Sequence, residues 1–452
     1  MNEPVNSNLR KLQSIPRVLV ISHNPFSDTQ NSGKTLTAFF KFWDSDKLAQ
    51  IYLTKEVPDF SLCKKFFQIS DFDIFKRLFN KKIEGREIRY SDLPSLIFEK
   101  QGVANNPVLK IMRQNVSPLM RFLRDLMWKT AGYKTKALIK FIDDFDPQLV
   151  FMVGSNGVFA FALTRWICYG KNIPLILQPT DDYVTGRFTI NPFYWLHLAF
   201  LKHNFKWACT YAAKIITIGE KMAREYSTRF GGHYFIAMNT SPPLNLPEYK
   251  FENKTIKFVY AGNLGLNRWK ILALIAECLV ELNQEKGLKG ELSVYSLVDP
   301  GESVKSALNK LPFSYFKGAL NTEELINVKS GADVLVHVEA FDRTNRHITR
   351  LSISTKIPEY MASGRCIFAV GPGDVASIEY LLEYKLAVVV TSRYKKDVKQ
   401  GIESIMVDST KRIYYANKGV MIVKEQHDAE KVAKSMLQIM TDAIIEKSIR
   451  AV

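Results

Sequence analysis

Short continuous apolar runs recur along the chain, each closed by polar or turn-forming residues and followed by a stretch with apolar positions at helical spacing. Residues 17–22, 148–153, 172–178 and 214–219 predict four strands of this kind. Continuous rather than alternating hydrophobicity predicts strands buried on both faces, as in a parallel sheet flanked by helices. The pattern stops at 239–254, where Asn-Thr-Ser-Pro-Pro-Leu-Asn-Leu-Pro and a polar tail predict a linker. It then restarts, with strands expected at 256–261, 292–295, 313–318, 332–338, 366–370 and 386–391 and a long helix at 269–286. A last helix, 428–445, carries the stripe Val432, Met436, Ile439, Met440 and Ala443 and is expected to cross back to the first half. The fold class read from this is α/β, with two Rossmann-like doubly wound domains. The domains are 1–240 and 256–427, joined by 241–255, with 428–452 packing back on the first; a chain of 452 residues exceeds what one core usually supports.

Composition, 46% hydrophobic and 24% charged, is that of a globular protein, but the net charge of +17 changes the picture. Between Lys55 and Lys140 there are 18 Lys and Arg against 9 Asp and Glu, so about half of the excess lies in one early block. Aromatics interleave with the cations there (Lys64-Lys65-Phe66-Phe67, Phe72, Phe75, Lys76-Arg77, Phe79), and basic amphipathic helices are expected over 108–142. Region 60–140 therefore suits contact with an anionic membrane surface, rings burying apolar area while cations meet head groups. The competing readings are aromatics packed in the core beneath ordinary solvated lysines, or a nucleic-acid surface. Five scattered cysteines give neither a zinc spacing nor a disulfide framework, residues 1–15 lack the apolar core of a signal peptide, and no apolar run is long enough to span a bilayer. A cytoplasmic protein, peripheral at the inner face of the membrane, is expected.

Candidate chemistry concentrates in 352–373, a loop, helix and buried strand. A helix N-terminus with Ser354, Thr355 and Lys356 suits a phosphate, and Glu359, three residues on, can reach an adjacent sugar hydroxyl; the alternative is a capped helix with a surface lysine. Gly262-Asn263, Gly265 and Arg268 stand between a strand and a helix and suit a phosphate in the same way. Ser32-Gly33-Lys34-Thr35 is not a P-loop, because Asp28 stands where that motif needs glycine, so Gly33 either admits a ligand close to the backbone or makes the turn. Asp181 and Asp182 close a strand, where one of them can take a proton from a hydroxyl; the alternative is a turn-forming pair.

Residues 332–338, Ser354-Thr-Lys-Ile-Pro-Glu359 through Gly364, the Phe258-Val-Tyr-Ala-Gly-Asn-Leu-Gly loop and Ile216-Thr-Ile-Gly-Glu-Lys-Met resemble the corresponding segments of the family 4 glycosyltransferases, which have the GT-B architecture of two domains facing across a cleft. The resemblance covers nearly the whole chain and is most specific from 256 to 382. It implies a sugar-nucleotide donor, with Glu359 on the ribose, Ser354, Thr355, Lys356 and Arg268 on the diphosphate, and Tyr315 to Gly318 lining the nucleobase pocket. It further implies that Gly33 faces the donor phosphates and that no metal or cofactor takes part. Many members carry a second glutamate eight residues before the ribose-binding one; here that position is Leu351. Glu339 is the expected substitute, so the candidate catalytic carboxylates are Asp181, Asp182 and Glu339. The implied activity is sugar transfer to a lipid-linked saccharide of bacterial surface polysaccharide assembly, with no role for nucleic acid. A sugar-nucleotide epimerase of the same fold and a binding protein that has lost catalysis are the alternatives.

Overall fold

The computed structural model describes residues 15–27, 31–96, 117–187, 189–241, 244 and 255–450. The chain forms two compact units, Met1–Ala237 with Glu430–Val452, and Met238–Ala429. The linker expectation falls mostly outside the described residues, as do 97–116 of the basic block.

In the first unit, strands β1 (Val18–Ser22), β2 (Leu48–Tyr52), β3 (Lys65–Gln68), β4 (Arg86–Ile88), β5 (Leu149–Val153), β6 (Leu175–Gln178), β7 (Lys214–Thr217) and β8 (Tyr234–Ile236) form one sheet ordered β4-β3-β2-β1-β5-β6-β7-β8. The β3–β4 pairing is antiparallel and the others are parallel. β1 and β5 are buried along their whole length, as continuous apolar runs must be when helices cover both faces. The basic aromatic stretch divides at β3. Phe66 and Phe67 are core residues, whereas Phe72, Phe75 and Phe79 of the helix Asp71–Phe79 are exposed. Core packing and exposed rings, posed as competing readings of this stretch, each hold for part of it.

In the second unit, β9 (Ile256–Ala261), β10 (Gly290–Tyr295), β11 (Ser314–Gly318), β12 (Val334–Val338), β13 (Cys366–Val370) and β14 (Val388–Val390) form a parallel sheet ordered β11-β10-β9-β12-β13-β14. In both sheets the chain moves outward from its first strand, then returns to that strand's other side. The order reverses between β1 and β5 and between β9 and β12. Helices on opposite faces diverge there, which leaves a crevice at the carboxyl ends of the strands.

The last helix, Ala429–Arg450, brings Met436, Met440 and Ala443 into the core that holds Phe26, Phe40 and Trp43, and Lys214 pairs with Glu446 at 2.6 Å. The first helix runs Asn31–Phe39. Gly33 lies in its first turn, where an added Cβ would stand 2.7 Å from both the Pro25 oxygen and Ser27 Cβ. Close closure of the helix start on the 25–27 loop is what this glycine permits.

Candidate active site

β9 ends at Ala261, and the helix Lys356–Ala362 is fastened to that point by a single phenol. Tyr360 Oη accepts from the Ala261 N–H at 3.1 Å and donates to the Ala261 oxygen at 3.2 Å. One turn earlier on the same helix, Lys356 is thereby laid across Gly262. A Cβ at residue 262 would come within 1.9 Å of Lys356 Nζ and 2.2 Å of its Cε, so only glycine leaves the lysine this path. Lys356 Nζ donates to Tyr260 Oη at 3.1 Å, and that hydroxyl donates to the Asn263 oxygen at 2.7 Å. Burial and the neighbouring Arg268 push the Lys356 ammonium down to about 8, against the opposing pull of Glu339 and Glu359.

The loop after Gly262 is bent by its own side chain, Asn263 Oδ1 accepting from the Gly265 N–H at 2.7 Å. It ends in two successive non-glycine residues in the left-handed region, Leu266 (φ 57°) and Asn267 (φ 60°). Such a pair is strained, and Asn267 is held by donating to Asp342 Oδ2 at 3.1 Å. The turn opens the helix Arg268–Lys286 and delivers Arg268 to Glu339, 3.0 Å away. Glu339 follows β12, so this ion pair joins the loops on either side of the reversal in strand order; its two side chains are only 16% and 2% exposed. Burial opposes the charge on Glu339, but adjacent His337 and Arg268 outweigh it and hold the carboxyl below its ordinary range. His337 is itself wholly buried, and that burial lowers its pKa against the opposing pull of Glu339.

Glu359 Oε2 accepts from Lys329 at 3.0 Å, a lysine buried at the end of the helix Thr322–Ser330. Ser354 organises the helix start. Its Oγ and carbonyl oxygen accept from the N–H groups of Lys356 (3.4 Å) and Ile357 (3.1 Å), and its own N–H donates to Ser377 Oγ at 3.0 Å. Thr355 is exposed at the cap. Leu351 is fully buried. Tyr315 and Gly318 lie on β11, the edge strand, with Tyr315 exposed in mid-strand and Gly318 closing it at φ 84°. The structure thus gathers Gly262, Asn263, Arg268, Glu339 and Lys356, and sets Glu359 against Lys329.

The aspartates of the first unit lie just beyond β6. Asp182 Oδ1 accepts from the Thr185 N–H at 3.2 Å and from Tyr226 Oη at 3.1 Å, fastening its loop to the helix Glu220–Phe230. Asp181 is exposed, with Tyr183 Oη 3.4 Å from its Oδ2. Sequence reasoning missed Tyr360, Tyr260 and Lys329. Tyr360 alone left a signal, standing one helical turn after Lys356 on the same face.

Neither a protein-family model nor a curated protein matches the chain. Solved structures do. HepE of Anabaena in complex with UDP matches at a TM-score of 0.60 and 11% identity, over 94% of this chain and 100% of that one. The same protein with UDP-glucose matches at a TM-score of 0.58. The α,α-trehalose 6-phosphate synthase of Burkholderia multivorans matches at a TM-score of 0.59 and 9% identity, over 97% and 99% of the two chains. The chain therefore has the two-domain α/β fold of the GT-B glycosyltransferases.

Proposed function

We propose that this protein is a glycosyltransferase that moves a sugar from a nucleoside diphosphate to an acceptor hydroxyl. The observation that carries the reading is Lys356 Nζ laid across Gly262 beside Arg268, at the point where the strand order of the second sheet reverses. In transfer, the acceptor oxygen bonds to the anomeric carbon and the bond from that carbon to the diphosphate breaks, its electron pair leaving with the diphosphate. Lys356, Arg268 and the N–H groups opening the helix Arg268–Lys286 meet that charge, and stabilising it lowers the barrier. Glu359 is assigned the ribose, Tyr315 and Gly318 the base, and Glu339 the positioning of Arg268. We assign the acceptor's proton to Asp181, the exposed member of the three candidate carboxylates.

The acceptor we propose is a lipid-linked saccharide of bacterial surface polysaccharide assembly, met by a peripheral protein at the cytoplasmic face. The exposed rings of Phe72, Phe75 and Phe79 and the net charge of +17 support this, and no helix among the described residues is long and apolar enough to cross a membrane. HepE's complexes make uridine nucleotides the first donors to try. Thermal denaturation with UDP, UDP-glucose, ADP and GDP is expected to show stabilisation by at least one of them that Lys356→Ala abolishes. No stabilisation by any nucleotide, or the same stabilisation in the variant, would sink the donor site.

A further inference from the structure

The helix Pro118–Ala131 packs against both Asp71–Phe79 and Pro192–Tyr211, and each of the three turns an apolar stripe to solvent at helical spacing. Phe75 and Phe79, Leu119 and Leu123, and Leu196 and Phe200 are all exposed. Beside these stripes is a crowd of arginines. Arg121 and Arg124 stand three residues apart on the middle helix, and Arg187 precedes the third, its N–H donating to Tyr194 Oη at 2.8 Å. The Arg124 guanidinium lies 4.7 Å from the Phe159 ring centroid and 3.1 Å from where a Cβ on Gly157 would be, which places it in the loop after β5, where the first sheet reverses.

Compensation is sparse. Asp71 lies 3.5 Å from Arg124 and also accepts from the Trp128 indole at 2.7 Å. Asp125 is occupied by His197 at 2.9 Å and the Val158 N–H at 3.0 Å. Among the described residues, the guanidinium groups of Arg121 and Arg187 make no hydrogen bond or ion pair with protein. Burial, then the charges of Arg187 and Arg124, lower the Arg121 pKa, as crowded cations without a counter-ion must. Like charges gathered at a ligand crevice cost stability and mark a site for an anion. Planar forks suit phosphate above other anions.

We infer that Arg121, Arg124 and Arg187 bind the phosphate of a membrane lipid whose hydrocarbon chain lies along the apolar stripes of the neighbouring helices. A soluble phosphate accounts for the arginines alone and a bare apolar face for the stripes alone; an amphiphile with a phosphate head accounts for both. The inference rests on the reading that the acceptor is lipid-linked, and it adds the residues that hold the lipid.

The test is flotation of the whole protein with phosphatidylcholine vesicles doped with polyprenyl phosphate, neutral polyprenol or phosphatidylglycerol. The protein is expected to prefer polyprenyl phosphate to polyprenol by roughly tenfold or more, and Arg121→Gln/Arg187→Gln to lose that preference. Weaker binding to phosphatidylglycerol identifies the acceptor lipid as the source of the phosphate, and equal binding identifies bulk anionic lipid. A double variant that floats like the parent in both anionic arms, or a parent indifferent to the phosphate, overturns the site. A double variant that does not fold, or whose thermal midpoint falls clearly, makes Arg121 structural; Arg187→Gln alone then carries the test, and the site is overturned if that variant floats like the parent or also loses thermal stability. UDP stabilisation of the parent is measured alongside, so that failure of the donor reading is seen separately.

Discussion

The candidate sites of the two units hold cations in opposite states of compensation. In the second unit every cation of the candidate site has a partner: Arg268 has Glu339, Lys329 has Glu359, and Lys356 has the Tyr260 hydroxyl. In the first unit Arg124 shares one aspartate with a tryptophan, while Arg121 and Arg187 have no protein partner among the described residues. The same point in two similar sheets thus carries two kinds of site. One is preorganised by its own acidic and phenolic groups, so that ligand charge meets fixed geometry. The other carries uncompensated repulsion that a ligand relieves.

That contrast fixes the order of the mutational effects. The largest is expected from Glu339→Ala, which leaves Arg268 without its buried partner and should cost about 3–5 kcal/mol in urea unfolding. An unchanged midpoint would remove the idea of a preorganised second site. Lys356→Ala should lower sugar-transfer turnover by roughly 10²–10³-fold, the effect of deleting one positioned charge from the departing group. Wild-type turnover in that variant would move the donor phosphate elsewhere. Tyr360→Phe should cost about 1–3 kcal/mol, since it removes both hydrogen bonds to Ala261, and should also weaken UDP binding because Lys356 is carried by the same helix. Normal UDP affinity would mean that the phenol supports the fold without placing the lysine.

A pH series sharpens the comparison further. Lys356 is lowered from 10.5 to about 8 in the folded protein, so between these values the unfolded chain binds more protons and stability rises with pH. Affinity for a diphosphate runs the other way, falling as pH passes about 8 and the ammonium is lost. A flat UDP affinity from pH 7 to 9 would show that the lysine does not meet the anion. The smallest effect belongs to the first unit: Arg121→Gln/Arg187→Gln should change stability by no more than about 0.5 kcal/mol, measured by thermal unfolding.

All six strands of the second sheet and β1, β5, β6 and β7 of the first were legible because burial on two faces leaves a continuous apolar run, as in 17–22 and 148–153, whereas β2, broken by Gln50, and the short strands β3, β4 and β8 were not anticipated. The meeting of the loops after β9 and β12 was legible too, in Gly262, Arg268 and Lys356, because glycine and a cation beside a helix start are local signals. Compensation was not. Arg268 meets Glu339 across 71 positions of sequence and Lys329 meets Glu359 across 30, and only the strand order decides such meetings. The arginine cluster was hidden for the same reason. Its members read as part of a general basic surplus until two helices and a loop brought them together. Phe66 and Phe75 look alike in the sequence, and whether each falls on a strand or on an outer helix face separates the buried ring from the exposed one.

The return of the last helix to the first unit has a consequence for biosynthesis. Met436, Met440 and Ala443 complete the core begun by Val18 and Val20, so the half that leaves the ribosome first is the half that must wait. Residues 238–429 can finish their sheet while Phe26, Phe40 and Trp43 still lack their cover. A released chain truncated before residue 430 would hold a completed second half and an unfinished first one, the state in which chaperones and proteases would find it.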